Sequence, residues 1–397
     1  MVKCTLINLS FYLYLKSITP LIVKIYWKIL SSSIKISFMY YFITNIHGGS
    51  GLALLTWKKV KKILIEQNVP FKLLLSERKG HAKELASAVC KNEDPDKRIV
   101  VVGGDGTINE VLNGIGEENF GKVKFGVIPT GSGNDFCRGA GIKRSSRYTK
   151  EVLQKILEGS ERKIDIGKVT FRPVFEKLPY DEIEKKRRQK KEESLKNAEG
   201  KEKSAEEKVA AFLNDPFLSV RYFGISSGVG LDAIVCRRVD ASPLKKVLNF
   251  LRLGGVVYII LTLFTLMTMK FYRVKSRMFS KSEEGFKDLH FGKLIFLAAM
   301  NFSAEGGGVK MAPKAAASDG KLWLCAAHGI PRLFSYFIFP FLILGAHSKI
   351  KGFTVKSFNG LELESDQSMT LHTDGEYAGE VHSVRWEVLP SCLTLLD

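Results

Sequence analysis

The stretch Gly-Gly-Asp-Gly-Thr-Ile-Asn-Glu-Val-Leu, positions 103 to 112, concentrates residue types that handle phosphate. It follows the apolar run Arg98-Ile99-Val100-Val101-Val102 and opens a segment with Ile108, Val111, Leu112 and Ile115 at helical spacing. A glycine turn between a buried strand and a helix leaves backbone N–H groups at the helix start without partners, aimed where an anion would sit. Asp105 inside that turn repels phosphate unless a cation or a reacting hydroxyl stands between them. The turn therefore reads as a phosphate and metal site. Three further segments carry related chemistry. Asn45 to Gly51 is glycine-rich, with Asn45, Gly49 and Gly51 allowing close backbone approach to a ligand. Pro129 to Phe136 offers a hydroxyl, an amide and a carboxylate in Ser132, Asn134 and Asp135. Thr373-Asp374-Gly375-Glu376 sets two acids around a glycine. Each alone is an ordinary turn; the combination is not.

The elements that must position these turns alternate from Met39 onward. Strands are predicted at 40–44, 71–75, 98–102 and 124–128, and helices at Leu54–Gln67, Ala82–Cys90 and after Gly106. This alternation implies βαβ units and a parallel sheet, whose ligands lie at the carboxyl ends of the strands. The loops 45–51, 103–107 and 130–134 all fall at such ends.

After Lys163 the pattern changes. Strands are expected at 164–170, 218–224, 270–276, 291–300, 321–327, 353–358, 361–364, 369–372 and 382–388, which describes a second, mainly antiparallel β domain. Two apolar stretches interrupt it, Leu253–Met269 and the shorter Leu333–Ala346, both below the usual length of a membrane span; the first is read as a helix packed on or beside the β domain, with contact to a membrane interface or a true span as its alternatives. Residues 176 to 208 hold 11 basic and 10 acidic residues. That near balance reads as a solvated or disordered insertion, and it is not the source of the chain's net charge of +19. Residues 1 to 38 are an apolar extension broken by Lys16, Lys24 and Lys28, read as a membrane-surface anchor or as sequence upstream of the true start.

With 397 residues there is room for two cores. The positive excess comes without a zinc-finger, RNA-recognition or homeodomain signature, so an anionic membrane surface is expected as partner and nucleic acid is not. Six cysteines without a C-x-x-C pair point to a reducing compartment.

Taken together the motifs resemble the diacylglycerol kinase catalytic family, which includes bacterial lipid kinases, sphingosine kinases and ceramide kinases. Gly103–Glu110 resembles its nucleotide-binding signature, and Gly131–Asp135 its G-T-x-N-D loop with Ser132 for threonine. Asn45–Gly51 is similar to N-P-x-S-G-x-G, with Ile46 for proline and Gly48 for serine. Ser76 to Ala82 is similar to T-x-x-x-G-H-A. Ile164–Gly167, Gly306–Gly308, Ala312-Pro313, Asp319-Gly320 and Asp374–Glu376 follow in family order.

The resemblance implies an α/β nucleotide-binding domain over 39–163 and a β-sandwich lipid-binding domain over 164–388. A final segment, 389–397, would return to the first domain, with the active site in the cleft between the two. It implies ATP and Mg2+ as cofactors and a lipid hydroxyl as acceptor, diacylglycerol first. Nucleotide contacts are expected from Asn45, Gly49, Gly51, Ser76, Gly103, Gly104, Asp105, Gly106, Thr107, Asn109, Glu110, Gly131, Ser132 and Asn134. Magnesium is assigned to Asp105, Asp135 and Asp165, and a second, structural ion to Asp319 with the carbonyls of Ala316 and Lys321. The base is expected at Glu376 or Asp374, with Asp105 third. A peripheral enzyme of the cytoplasmic membrane face follows, and a homodimer is compatible with it. Two other readings stay open: a soluble kinase of the NAD kinase type, and a membrane-associated lipid-binding relative without turnover.

Overall fold

A computed structural model describes residues 39–45, 51–174, 218–241, 254–281 and 285–397. The extension 1–38, the charged insertion 176–208 and Gly49 lie outside the described residues.

Strand β1 (Met39–Asn45) pairs in parallel with β2 (Phe71–Ser76) on one side and β3 (Lys97–Gly103) on the other, and β3 pairs in parallel with β4 (Val123–Pro129). β1, β3 and β4 are near-continuous apolar runs because both faces are covered, while β2 at the sheet edge is only part-buried; the helices are α1 (Leu52–Glu66), α2 (His81–Cys90), α3 (Asp105–Ile115), α4 (Glu117–Phe120), α5 (Asp135–Gly139) and α6 (Thr149–Glu158). Trp57, Val60 and Leu64 of α1 and Ile108, Val111, Leu112 and Ile115 of α3 are buried in one core with the strands. Gly114 fixes how closely α2 and α3 pack, since a Cβ there would lie 2.2 Å from the Lys83 carbonyl oxygen. The register sets Asn45 beside Ser76 and Gly103 beside Pro129, so the glycine turns leave the sheet along one edge.

The rest of the described residues are mainly antiparallel β: β5 (Glu161–Pro173), β6 (Ser219–Phe223), β7 (Ser226–Gly230), β8 (Lys275–Phe279), β9 (Phe286–Leu289), β10 (Leu294–Met300), β11 (Leu322–His328), β12 (Phe353–Phe358), β13 (Gly360–Thr373) and β14 (Glu376–Leu396). Its core gathers Phe223, Phe358, Leu371 and Trp386, whose indole N–H donates to Ser227 Oγ at 2.9 Å. Helix α7 (Leu231–Ala241) follows β7, α8 (Gly254–Thr268) packs on α7, and α9 (Arg332–Ile343) follows β11.

The expected class holds, an α/β part followed by an antiparallel β-rich part, but the two share one sheet. β14 runs antiparallel to β13 and β5 and then, at Thr394–Leu396, lies parallel to Lys124–Gly126 of β4. Several strand expectations need correction. The runs 361–364 and 369–372 are one strand with a register shift between Glu364 and Met369, and 382–388 is the middle of the longer β14. The strand expected at 270–276 begins at Lys275; before it only Tyr272 bridges, to Leu294. Polar residues within a long hairpin hide its continuity from a reading based on apolar alternation. The stretch Leu253–Met269 forms a helix of 15 residues, about 22 Å long against about 30 Å of bilayer core. Among the described residues no helix is long and apolar enough to cross a membrane.

Candidate active site

Gly104 is the N-cap residue of α3, and no side chain caps that helix. The first intrahelical bond runs from the Ile108 N–H to the Gly104 carbonyl at 3.1 Å. The preceding N–H groups thus lack an α-helical acceptor, the arrangement that attracts phosphate. The loop after β4 touches this turn backbone to backbone. A Cβ on Gly131 would lie 2.8 Å from Gly104 Cα, and one on Gly104 would lie 3.0 Å from Gly131 Cα. The Thr130 N–H donates to the Gly103 carbonyl at 3.0 Å. Gly103 is equally constrained, because a Cβ there would meet the Thr107 side chain at 2.9 Å. Replacing Gly131 with alanine is expected to part the two loops and weaken ATP binding by about tenfold or more, the scale of an overpacked contact. Equilibrium titration of the variant with ATP checks this; an unchanged affinity would remove the two-loop cradle.

Asp105 joins the same loops. Its carboxylate accepts from the backbone N–H groups of Asp135 at 3.0 Å and Phe136 at 3.1 Å. Burial pushes its pKa above the ordinary value, against the pull of these donors and of Arg138. Asn134, at φ 51°, folds back on its own loop, with Oδ1 accepting from the Gly131 N–H and Nδ2 donating to the Gly131 carbonyl. Asp135 is held by the Gly307 N–H at 2.7 Å and by the Arg138 guanidinium. Ser132 is exposed on this loop, while Ser76 is buried at the end of β2 beside Asn45. Gly51, at φ 87°, begins α1 in the left-handed conformation that glycine tolerates.

The C-terminal turn closes over this cradle. Glu376 lies against Gly106: a Cβ added to Gly106 would be 2.9 Å from Glu376 Oε1. Its other oxygen pairs with the Lys79 ammonium at 2.9 Å, and about a third of the side chain is exposed. Asp374 differs in every respect. It is buried, sits at φ 49°, and accepts four hydrogen bonds. Oδ2 takes Asn109 Nδ2 (2.8 Å) and the Gly224 N–H (2.9 Å), and Oδ1 takes the N–H groups of Ile225 (2.7 Å) and Ser226 (3.0 Å). Burial raises its pKa, with these donors opposing.

Several expected ligands have other partners. Glu110 accepts the N–H groups of Gly80 (2.8 Å) and Ala82 (3.1 Å), capping α2, so it serves the fold beneath the nucleotide turn. Asn109 reaches across to Asp374 and the Tyr222 carbonyl. Asp165 is fully buried, with one oxygen accepting from the Gly320 N–H and the other from the Ser391 N–H, both at 2.7 Å, which ties β5 to an irregularity in β14. The group around Asp319 closes on itself. Its carboxylate accepts from the Lys321 N–H and Trp323 Nε1, and the Ala316 carbonyl accepts from the Ser318 and Asp319 N–H groups. Spacing alone does not separate a ligand carboxylate from one that caps a helix or a turn.

Sequence reading missed two features. Lys79, inside the Ser76–Ala82 segment, and Arg138, two residues past the Pro129–Phe136 loop, bring positive charge to the cradle. A cluster of the part-buried Asp232 and Glu305 with the buried His372 lies next to Asp374, with ligand atoms within 4.8 Å of one another. His372 Nε2 is 3.1 Å from Asp232 Oδ2, and Ser226 bonds Glu305 through Oγ and Asp374 through its N–H. Burial alone would depress the His372 pKa, but the carboxylates of Asp232, Glu305 and Asp374 outweigh it and raise the value. These three residues are far apart in sequence and no motif links them.

Residues 39–169 match the diacylglycerol kinase catalytic domain, and residues 225–397 match the YegS C-terminal NAD kinase beta sandwich-like domain, together most of the chain. The chain is 26% identical over 341 residues to the "Putative lipid kinase YtlR" of Bacillus subtilis (strain 168), covering 86% of this chain and 94% of that one. A shorter stretch of 74 residues is 45% identical to the diacylglycerol kinase of Staphylococcus aureus (strain Newman), 19% of this chain and 22% of that protein. Among solved structures, the "putative diacylglycerol kinase from Bacillus anthracis str. Sterne" superposes with a TM-score of 0.59 at 16% identity, covering 91% of this chain and 97% of that one, a likeness of fold. With both domains matched in order and the glycine cradle in place, the chain belongs to the diacylglycerol kinase catalytic-domain family of lipid kinases.

Proposed function

We propose that this enzyme transfers the terminal phosphoryl group of ATP to the hydroxyl of a membrane lipid, with diacylglycerol, giving phosphatidic acid, as the leading acceptor. The observation that carries the reading is the Glu376 carboxylate lying against Gly106 of the glycine turn. The residues fit a polyphosphate: an uncapped helix start, two glycine loops in backbone contact, and the cations Lys79 and Arg138 beside them. When bound, ATP supplies the phosphoryl group and magnesium neutralises its terminal oxygens.

The chain's own residues do the rest. The Gly103–Thr107 turn and the Gly131–Asn134 loop hold and orient the phosphates, with Ser132 and Ser76 as hydroxyl contacts to the nucleotide and Asn45 and Gly51 lining the neighbouring strand end. Asp105 has one backbone bond to each oxygen, leaving acceptor capacity to hold the metal directly or through water. Asp135, paired with Arg138, stands behind it. Glu376 takes the proton from the acceptor hydroxyl as that oxygen attacks, since its carboxylate is partly exposed beside the glycine turn, with Lys79 paired to one oxygen and Arg221 the other nearby cation. Asp374 with four donors is a positioning residue that fixes the turn carrying Glu376. Asp165 and Asp319 also take one donor per oxygen, but their donors come from Gly320, Lys321, Trp323 and Ser391 and not from the glycine loops, so the metal of the nucleotide is not assigned to them.

An acceptor panel tests the substrate. Purified enzyme with labelled ATP and magnesium is offered diacylglycerol, a sphingoid base, ceramide, phosphatidylglycerol and NAD, the last because the second domain is of the NAD kinase sandwich type. Label is expected on diacylglycerol as phosphatidic acid. Label on NAD with none on any lipid would replace the proposal with the soluble-kinase reading.

A further inference from the structure

Helices α8 and α9 lie side by side. The Tyr336 hydroxyl donates to the Leu263 carbonyl at 3.1 Å, and the Arg332 guanidinium donates to the carbonyls of Met267 and Met269. Each helix buries one face in the core of the β domain, through Leu266 on α8, Met269 just after it and Leu342 on α9. The opposite faces are apolar and exposed. Ile260, Phe264 and Met267 recur at four- and three-residue steps along α8. On and just past α9 the exposed residues are Leu333, Phe334, Phe337, Phe341 and Leu344, with Leu333, Phe337 and Leu344 68 to 73% exposed. Two stripes of large side chains at helical spacing on touching helices are unlike the scattered apolar residues of an ordinary surface.

Charge around the stripes has one sign. The sequence holds no acidic residue from 241 to 282 or from 320 to 361. Exposed Lys270 and Arg273 follow α8, and exposed Lys349 and Lys351 follow α9. An apolar helix face with basic residues at its margin fits a bilayer interface with anionic headgroups. The face is also joined to the catalytic cleft. α8 packs on α7, where Arg238 stacks over Phe264 at 5.2 Å and donates to Thr265 Oγ1 at 2.8 Å. α7 begins at Leu231, directly after β7, whose Ser226 N–H is bonded to Asp374.

We propose that the exposed faces of α8 and α9 form the surface by which this enzyme docks on an anionic phospholipid bilayer, presenting the cleft to an acceptor within it. The purpose of the docking rests on the lipid-acceptor reading given above; the binding itself does not. The partner committed to is the bilayer, because the area is apolar at its centre and cationic at its edge.

The test is flotation of the full chain, without ATP, with vesicles of phosphatidylcholine and phosphatidylglycerol or of phosphatidylcholine alone, at low and high salt. Wild type is expected to float with the anionic vesicles and to be weakened by salt. The double variant Phe334→Asp, Phe337→Asp is expected to lose about tenfold or more in partitioning, the scale of withdrawing two aromatic side chains from an apolar phase. Its thermal unfolding midpoint and its turnover of a short-chain acceptor dissolved as monomer, without vesicles or micelles, should match wild type, since both residues face solvent. Equal flotation of variant and wild type would overturn the proposal. So would light scattering that shows wild type as a dimer separated by the same substitutions, which would make this face a contact between copies. Vesicle binding without any lipid phosphorylation would leave the docking surface intact and sink the acceptor reading instead.

Discussion

Replacing Glu376 with glutamine is expected to slow phosphoryl transfer by about 10²- to 10⁴-fold, the usual contribution of a positioned general base, while ATP affinity stays within a few-fold of wild type. The substitution keeps the side chain's volume and its place against Gly106, and removes the ability to take a proton. It also removes the ion pair with Lys79, but that lysine is largely exposed, so the effect on stability is small. The discriminating measurement is kcat against ATP affinity in the same preparation. Turnover within threefold of wild type would reject Glu376 as base and return the role to Asp105.

Alanine at Asp374 is expected to act through the fold. The four donors it satisfies come from α3 (Asn109) and from the segment entering β7 (Gly224, Ile225, Ser226), so this one carboxylate holds the α/β half to the β half. Removing it leaves buried N–H groups unpaired, at about 1–3 kcal/mol for each one that finds no water. The four losses are coupled and do not add. A total of about 3–5 kcal/mol, the scale for breaking a buried charged network, is expected in denaturant unfolding, together with loss of turnover. The two acids of the Asp-Gly-Glu turn are thereby distinguished. Glu376→Gln should unfold like wild type and not turn over; Asp374→Ala should do neither. A fully stable Asp374→Ala protein would contradict the tether.

Much of this arrangement was legible in the sequence because strand ends and glycine turns leave local signals. Ile99 to Val102 reads as a strand buried on both faces, and Gly104 and Gly131 fall in loops placed at the carboxyl ends of neighbouring strands; the structure brings the two into contact. The helix beginning at Asp105 follows from the spacing of Ile108, Val111, Leu112 and Ile115, all of which are buried. The partners of the carboxylates were not legible. Asp165 looks like a metal ligand beside a glycine, yet its oxygens meet Gly320 and Ser391, more than 150 residues away in sequence. Glu110 sits within the nucleotide signature and caps a helix that precedes it in the chain. The Asp232, Glu305 and His372 cluster depends on three elements converging, which no local pattern encodes. The length of β14, and the way its last residues lie antiparallel to β5 on one edge and parallel to β4 on the other, likewise depends on contacts across the whole fold.

The most direct measurement is thin-layer chromatography of a total lipid extract after incubation with γ-labelled ATP, magnesium and either wild type or Glu376→Gln. The account predicts one new labelled lipid with wild type, migrating as phosphatidic acid, and almost none with the variant. No labelled lipid from a wild-type protein that binds ATP, or equal label from both proteins, would contradict it.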